Sequence, residues 1–124
     1  MPTLLVVDDE RPVRAFIKRA MSLRGWSVIA VDSVASGLLV ARNCQVDAVI
    51  CDLVMPRQGG LELVRQIRDI APQVAVLLMS GHPDADLLAG EPLPRWWAPL
   101  ALLEKPFTVA DLQTALRHVT DEQS

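Results

Sequence analysis

The chain has 124 residues, 51% of them hydrophobic and 22% charged, which is enough apolar material for one ordinary core and too much for a disordered chain. Its 12 Lys and Arg against 15 Asp and Glu leave a net charge of −3, with pI ≈ 5.2, so no broad basic surface for nucleic acid or anionic membrane is expected. The longest clean apolar run, residues 74–79, falls far short of the roughly 20 residues a membrane span needs.

No basic region precedes Leu4, and Asp8-Asp9-Glu10 follows the first apolar run at once, unlike a secretory signal. Cys44 and Cys51 form no CxxC pair or zinc pattern. Both are expected to be small buried hydrophobes in a reduced, cytoplasmic protein.

Residues 3–7 are apolar and end in acids, which predicts a buried strand. Residues 12–24 predict a helix: Val13, Phe16, Ile17, Ala20 and Met21 recur at helical spacing, Pro12 suits the first turn and Gly25 is a stop. Residues 26–31 predict a second strand, and Ser33 then caps a helix running to about Asn43. A third strand is expected over 46–51, ending at Asp52, followed by a turn over 56–60. Residues 61–70 predict a helix with Leu63, Ile67 and Ile70 on one side, and 73–79 a fourth strand ending at Ser80-Gly81.

Residues 82–99 differ. They hold Pro83, Pro92, Pro94, Pro99, Gly90 and the pair Trp96-Trp97, and the prolines exclude a long regular helix, leaving a turn or two over 84–89. Residues 100–103 predict a short fifth strand ending near Glu104-Lys105-Pro106. Thr108 caps a last helix with Val109, Leu112, Leu116 and Val119 on one face, and Asp111 makes the start resemble a capping box.

No internal repeat, low-complexity tract or linker interrupts this alternation, so residues 1–124 are read as one domain. Strands alternating with helices predict an α/β fold: a flavodoxin-like, doubly wound sheet of five parallel strands in the order 2-1-3-4-5. About five helices are expected on its two faces, the fourth short or irregular. Ligands of such sheets bind at the carboxyl ends of the strands.

That edge collects chemistry. Asp8, Asp9 and Glu10 follow the first strand, Asp52 the third, Ser80 the fourth and Lys105 the fifth. Converging carboxylates repel and need a cation, and hard oxygens without His or Cys point to Mg²⁺ (or Mn²⁺). A carboxylate is also a nucleophile towards phosphorus, giving an acyl phosphate. Mg²⁺ and a lysine would balance charge on the transferring group, and Ser80 could donate to one of its oxygens. Each residue has a plain reading alone: acids at a helix N-terminus, a solvated strand end, a turn, a surface lysine. Together these would be coincidences at one sheet edge.

Asp8-Asp9-Glu10, Cys51-Asp52-Leu53-Val54-Met55-Pro56, Gly60, Ser80-Gly81 and Lys105-Pro106-Phe107 resemble, in order and spacing, the receiver domain of two-component response regulators. The resemblance implies that Asp52 is the phosphoacceptor, served by a histidine kinase or histidine phosphotransfer protein. It implies that Asp9 and Asp52 ligate Mg²⁺ directly, Asp8 through water, and Val54 through its backbone carbonyl. Ser80 would be the switch hydroxyl and Lys105 the partner of a phosphoryl oxygen. Pro106 would follow a cis peptide bond, whose cost proline lowers. A receiver is not a conventional enzyme; it promotes its own phosphorylation and dephosphorylation.

Three departures from the family stand out. Leu102 occupies the position of the usual switch Tyr or Phe, and the chain has no Tyr. Residues 82–99 replace the usual fourth helix and resemble receivers of hybrid sensor histidine kinases, with Trp96 and Trp97 as candidates for a partner patch or a cover for the sheet edge. Val54 and His82 stand where receivers control water access. An apolar Val54 is expected to give a long-lived phosphoaspartate, and His82 either to steer transfer or to be a plain loop residue. Arg14, Lys18, Arg19 and Arg24 fall on the polar side of the first helix, a solvated face where receivers generally meet their kinase. Phe16 and Trp26 are expected in the core or at its rim.

The expected function is a phosphorylation-dependent switch of partner binding. The alternatives are a phosphate relay or sink, on Leu102, the missing fourth helix and the lack of an effector domain, or an interaction module independent of phosphorylation. A monomer or weak dimer is expected, with no direct nucleic-acid binding and no membrane association. Met1 directly before the first strand suggests a true N-terminus, and residues 121–124 leave the other end open.

Overall fold

The five apolar runs form five strands: β1 (Thr3–Val7), β2 (Ser27–Val31), β3 (Ala48–Asp52), β4 (Ala75–Ser80) and β5 (Leu100–Glu104). They make one parallel sheet ordered β2-β1-β3-β4-β5, as the alternation predicts. The computed structural model describes residues 1–55, 59–81 and 100–121, so residues 82–99 and residues 56–58 of the turn expected over 56–60 lie outside the described residues. Four helices are described: α1 (Arg11–Ser22), α2 (Val34–Asn43), α3 (Gly60–Ile70) and the C-terminal helix (Val109–Asp121).

The sheet is buried on both faces, and its central strands are apolar throughout rather than alternating. The pleat sends alternate residues to two cores. Leu5, Val7, Val49, Cys51, Val76 and Leu78 meet α2 and α3 through Leu38, Leu63 and Ile67. Leu4, Val6, Ile50, Leu77 and Met79 meet α1 and the C-terminal helix through Ile17, Met21, Leu112 and Leu116.

Local chemistry sets the ends. Ser33 caps α2 by accepting the Ser36 N–H at 3.1 Å. Thr108 Oγ1 accepts from Asp111 N–H at 3.1 Å and Asp111 Oδ2 accepts from Thr108 N–H at 3.0 Å, a reciprocal capping box. Helix α1 stops at Ser22, two residues short of the expected end, because its Met21 carbonyl takes the N–H groups of Arg24 (3.0 Å) and Trp26 (3.1 Å). Gly25, at φ 92°, makes that reversal in a conformation few other residues adopt. With its N–H spent there, Trp26 falls outside β2 and rests half-buried against the core.

Some expectations are corrected. Strands β3 and β4 start two residues later than expected. They end at Asp52 and Ser80, and β5 at Glu104, as expected, and backbone pairing continues beyond β3 and β5: Leu53 N–H bonds Met79 O and Lys105 N–H bonds Ser80 O, both at 2.8 Å. Gly60 already belongs to α3 rather than to a preceding turn. Cys44 is exposed, not buried: it caps the end of α2 at the corner where the chain leaves for β3. Cys51 is buried as expected. Arg68, to which the sequence assigns no place, is buried in α3 and donates to the Val74 carbonyl. Phe16 lies at the rim, its ring tilted against Phe107 with centroids 6.0 Å apart. No described helix is long and apolar enough to cross a membrane.

Gly60 brings α3 against the end of β3. Its N–H bonds Leu53 O at 3.0 Å, and a Cβ there would overlap the Asp52 carbonyl. Replacing Gly60 by Ala is therefore expected to cost about 2 kcal/mol in urea denaturation, typical of overpacking. Gly81→Ala, whose Cβ would meet no described residue within 4 Å, is expected to change stability by less than about 0.5 kcal/mol.

Candidate functional site

The site is assembled by strands β1 and β3, side by side at the sheet centre, and by the residue that follows β5. Asp8 comes directly after β1, where its N–H extends the ladder to Val31 O at 3.1 Å. Its side chain is completely buried. Oδ1 accepts the Glu10 N–H at 2.8 Å, and Oδ2 accepts from Lys105 Nζ at 3.2 Å. Asp52 is the last residue of β3 and is also buried. Its Oδ1 accepts the Val54 N–H at 3.2 Å and its Oδ2 the same Lys105 ammonium at 3.3 Å.

Lys105 thus reaches past β4 to clamp two carboxylates from two other strands. Its base is fixed by its N–H on Ser80 O. Asp9 completes the cluster from the exposed side, with no hydrogen bond or ion pair among the described residues. One carboxylate oxygen from each of Asp8, Asp9 and Asp52 lies within 4.8 Å of the others.

Three carboxylates against the one ammonium that pairs with them, among the described residues, leave the cluster with excess negative charge, which the Arg14 guanidinium on the Asp8 carbonyl only partly offsets. Burial pushes the Asp52 carboxyl above its ordinary value; the Val54 N–H and the Lys105 charge pull the other way without cancelling it, and Asp8 adds to the rise. Burial alone would lower Lys105, but the Asp8 and Asp52 carboxylates outweigh it and hold the ammonium charged. The Cys51 thiol is pushed well up by burial, then by Asp52 and Asp8, and its Sγ donates to the Asp52 carbonyl at 3.3 Å. It therefore stays a neutral thiol on the opposite face. An all-oxygen donor set with excess negative charge fits a hard divalent cation such as Mg²⁺.

The other expected residues fall as follows. Ser80 is buried at the end of β4, one residue beyond Met79, the register partner of Asp52. Val54 turns its side chain outward and is 58% exposed. Leu102 pairs with Leu78 in the β4–β5 ladder and is 39% exposed. The Lys105–Pro106 bond is cis, as expected. His82, Trp96 and Trp97 lie outside the described residues.

One residue was assigned differently by sequence. Arg14, expected on the open polar side of α1, is half-buried and donates from Nη1 to the Asp8 carbonyl at 2.9 Å. Helical spacing gives no sign of this, since the contact reaches back six residues to a loop.

A raised carboxyl value in the folded state means that ionised Asp52 costs stability at neutral pH. The cost vanishes as pH falls through the window between the raised value and the ordinary 3.8. Without divalent ions, Asp52→Asn is expected to melt a few degrees above wild type at neutral pH, the gap closing near the lower end of that window. Added Mg²⁺ should raise the wild-type midpoint and leave the Asn variant nearly unmoved. Thermal melts with and without chelator measure both.

A family model described as the response regulator receiver domain matches residues 4–117. The response regulator MprA of Mycobacterium sp. (strain KMS) is 36% identical over 120 residues, 92% of this chain and 48% of that protein. The sensor kinase CckA of Brucella abortus (strain 2308) is 30% identical over 123 residues, 98% of this chain and 13% of that protein. Among solved structures, a response regulator receiver domain protein of Clostridium thermocellum superposes with a TM-score of 0.81 at 30% identity, covering 99% of this chain and 97% of its own. The chain spans about half the length of MprA and a small part of CckA.

Proposed function

The chain belongs to the response regulator receiver domain family, and on that premise we propose that it is a phosphorylation-dependent switch whose acceptor is Asp52. The observation that carries this reading is the position of Asp52: buried at the end of β3, with Oδ2 on Lys105 and two further carboxylates at hand. A carboxylate oxygen of Asp52 attacks the phosphorus of a phosphohistidine on a kinase or phosphotransfer protein. The new P–O bond forms as the P–N bond breaks, and the imidazole leaves neutral, keeping the proton that its other ring nitrogen carried in the phosphohistidine.

Asp8, Asp9, Asp52 and the Val54 carbonyl are the groups that would hold Mg²⁺. When bound, this ion neutralises the carboxylates and the incoming phosphoryl oxygens. Lys105 is already charged and tethered, so it can exchange a carboxylate for a phosphoryl oxygen with little rearrangement. Ser80, at the neighbouring strand end, supplies a hydroxyl to the same group and links the modification to the segment that follows it. Hydrolysis of the acyl phosphate needs a water aligned with phosphorus. The apolar side chain of Val54 offers that water no partner, which favours a long-lived phosphorylated state.

The domain acts in the cytoplasm, and its output is altered binding to a protein partner. Leu102 supports a second reading, a phosphate relay or sink. An aliphatic side chain has no hydroxyl or ring to follow Ser80, so the conformational output is smaller and reversible return of phosphate to a histidine becomes the main activity.

Intact mass after incubation with Mg²⁺ and acetyl phosphate is expected to show one phosphoryl adduct, absent in Asp52→Ala and in chelator. Lys105→Ala should form it about 100-fold more slowly, the scale of losing one charge-stabilising donor. Val54→Glu should shorten the adduct's lifetime severalfold. Absence of any adduct from protein that binds Mg²⁺ would leave the phosphorylation-independent interaction module as the better reading. Return of the group to a histidine-containing partner would favour the relay.

A further inference from the structure

Asp9 presents an unusual positioning problem. Its carboxylate is exposed and makes no hydrogen bond or ion pair among the described residues, yet it stands within 4.8 Å of two buried ones. A side chain without partners is placed only by its backbone, so the two peptide groups flanking Asp9 decide where its oxygens lie. The peptide after it is held by the Glu10 N–H on Asp8 Oδ1 at 2.8 Å. The peptide before it is held by a single hydrogen bond among the described residues, Arg14 Nη1 on the Asp8 carbonyl at 2.9 Å.

We propose that Arg14 is a positioning residue for the divalent cation, fixing the Asp8–Asp9 peptide so that Asp9 meets the cation together with Asp52. This rests on the reading of the cluster as a Mg²⁺ site. Arg14 is itself anchored, since it sits in the first turn of α1 with its own N–H on Glu10 O at 3.1 Å. The guanidinium therefore ties the start of the helix to the end of β1 by a charge-assisted bond, which is stronger than a neutral one.

Two effects of Arg14 on the ion oppose each other. As a tether it favours binding; as a nearby positive charge it disfavours binding. Removing it therefore gives opposite signs according to which dominates, and the proposal commits to the tether. Calorimetric titration with MgCl₂ alone reads the sign without reference to phosphorylation. Arg14→Ala is expected to weaken Mg²⁺ binding about tenfold, the lower end of what losing an outer-shell partner costs. Arg14→Lys, which keeps charge and donor, should recover most of the affinity. Arg14→Gln should bind more weakly than wild type, although it lacks the repulsive charge. Lys18→Ala removes one exposed positive charge from the same helix without touching Asp8, and should bind as tightly as wild type or slightly more tightly.

Equal or tighter Mg²⁺ binding by Arg14→Ala would overturn the proposal. So would unchanged Mg²⁺ affinity with slower transfer from a phosphohistidine donor alone, since that would make Arg14 a docking residue. Should the Ala variant fail to fold, as read by urea titration without Mg²⁺, the Gln variant carries the same test, and tighter binding there also overturns it. If wild type itself binds no Mg²⁺, the reading of the site falls and this inference with it. A defect confined to the Arg14 variants bears on the inference alone.

Discussion

One ammonium holds two buried carboxylates while a third faces it from solvent, and this unequal balance of charge shapes the end of the sheet. Two unit charges 4.8 Å apart repel by about 3 kcal/mol at the effective dielectric of a protein surface. Whole domains are stable by only about 5–15 kcal/mol, so such repulsion is a sizeable fraction of what holds a chain of this size together. The cluster persists because each buried oxygen has a donor: Asp8 has the Glu10 N–H and Lys105, and Asp52 has the Val54 N–H and Lys105. The surrounding architecture can be understood as the means of holding those donors still.

Parallel pairing does most of that work. Strands β1 and β3 are neighbours in register, so the residues that end them arrive side by side without any further instruction. Lys105 comes from the far edge and needs both length and a fixed base. The lysine stem supplies the first, and the Ser80 carbonyl the second. Helix α3 enters flush against the Asp52 backbone because Gly60 has no side chain to keep it away. These supports sit on rigid elements rather than on long loops, which suits a site whose working parts must be placed to within fractions of an ångström.

Much of this was readable in the residues. The run-and-acid pattern at residues 3–9, the serine at the end of β4 and the lysine after β5 place the cluster at one edge once the alternation fixes the topology. The caps at Ser33 and Thr108 were equally legible, since their side chains bond within three residues. What was not legible is non-local. Strands β3 and β4 start two residues into their expected ranges, a fact about pairing and not about hydrophobicity. Arg14 and Arg68 both appear in the sequence as charges on a helix and both turned inward to a carbonyl several residues away. A long side chain can bury its stem and satisfy its head at a distance that no periodicity records. Cys44 looked like a core residue by type, but its place at a helix end decided otherwise.

The two cysteines draw a further distinction. Cys44 stands in solvent at the corner between α2 and β3, and Cys51 lies under the sheet beside Asp52, neutral and sealed. A thiol-directed dye offered to the native molecule meets one sulfur and is refused by the other. The first can carry a label remote from the carboxylates. The second becomes reachable only when β3 comes away from its neighbours, so the pace of its modification is a clock that runs on the opening of the sheet itself.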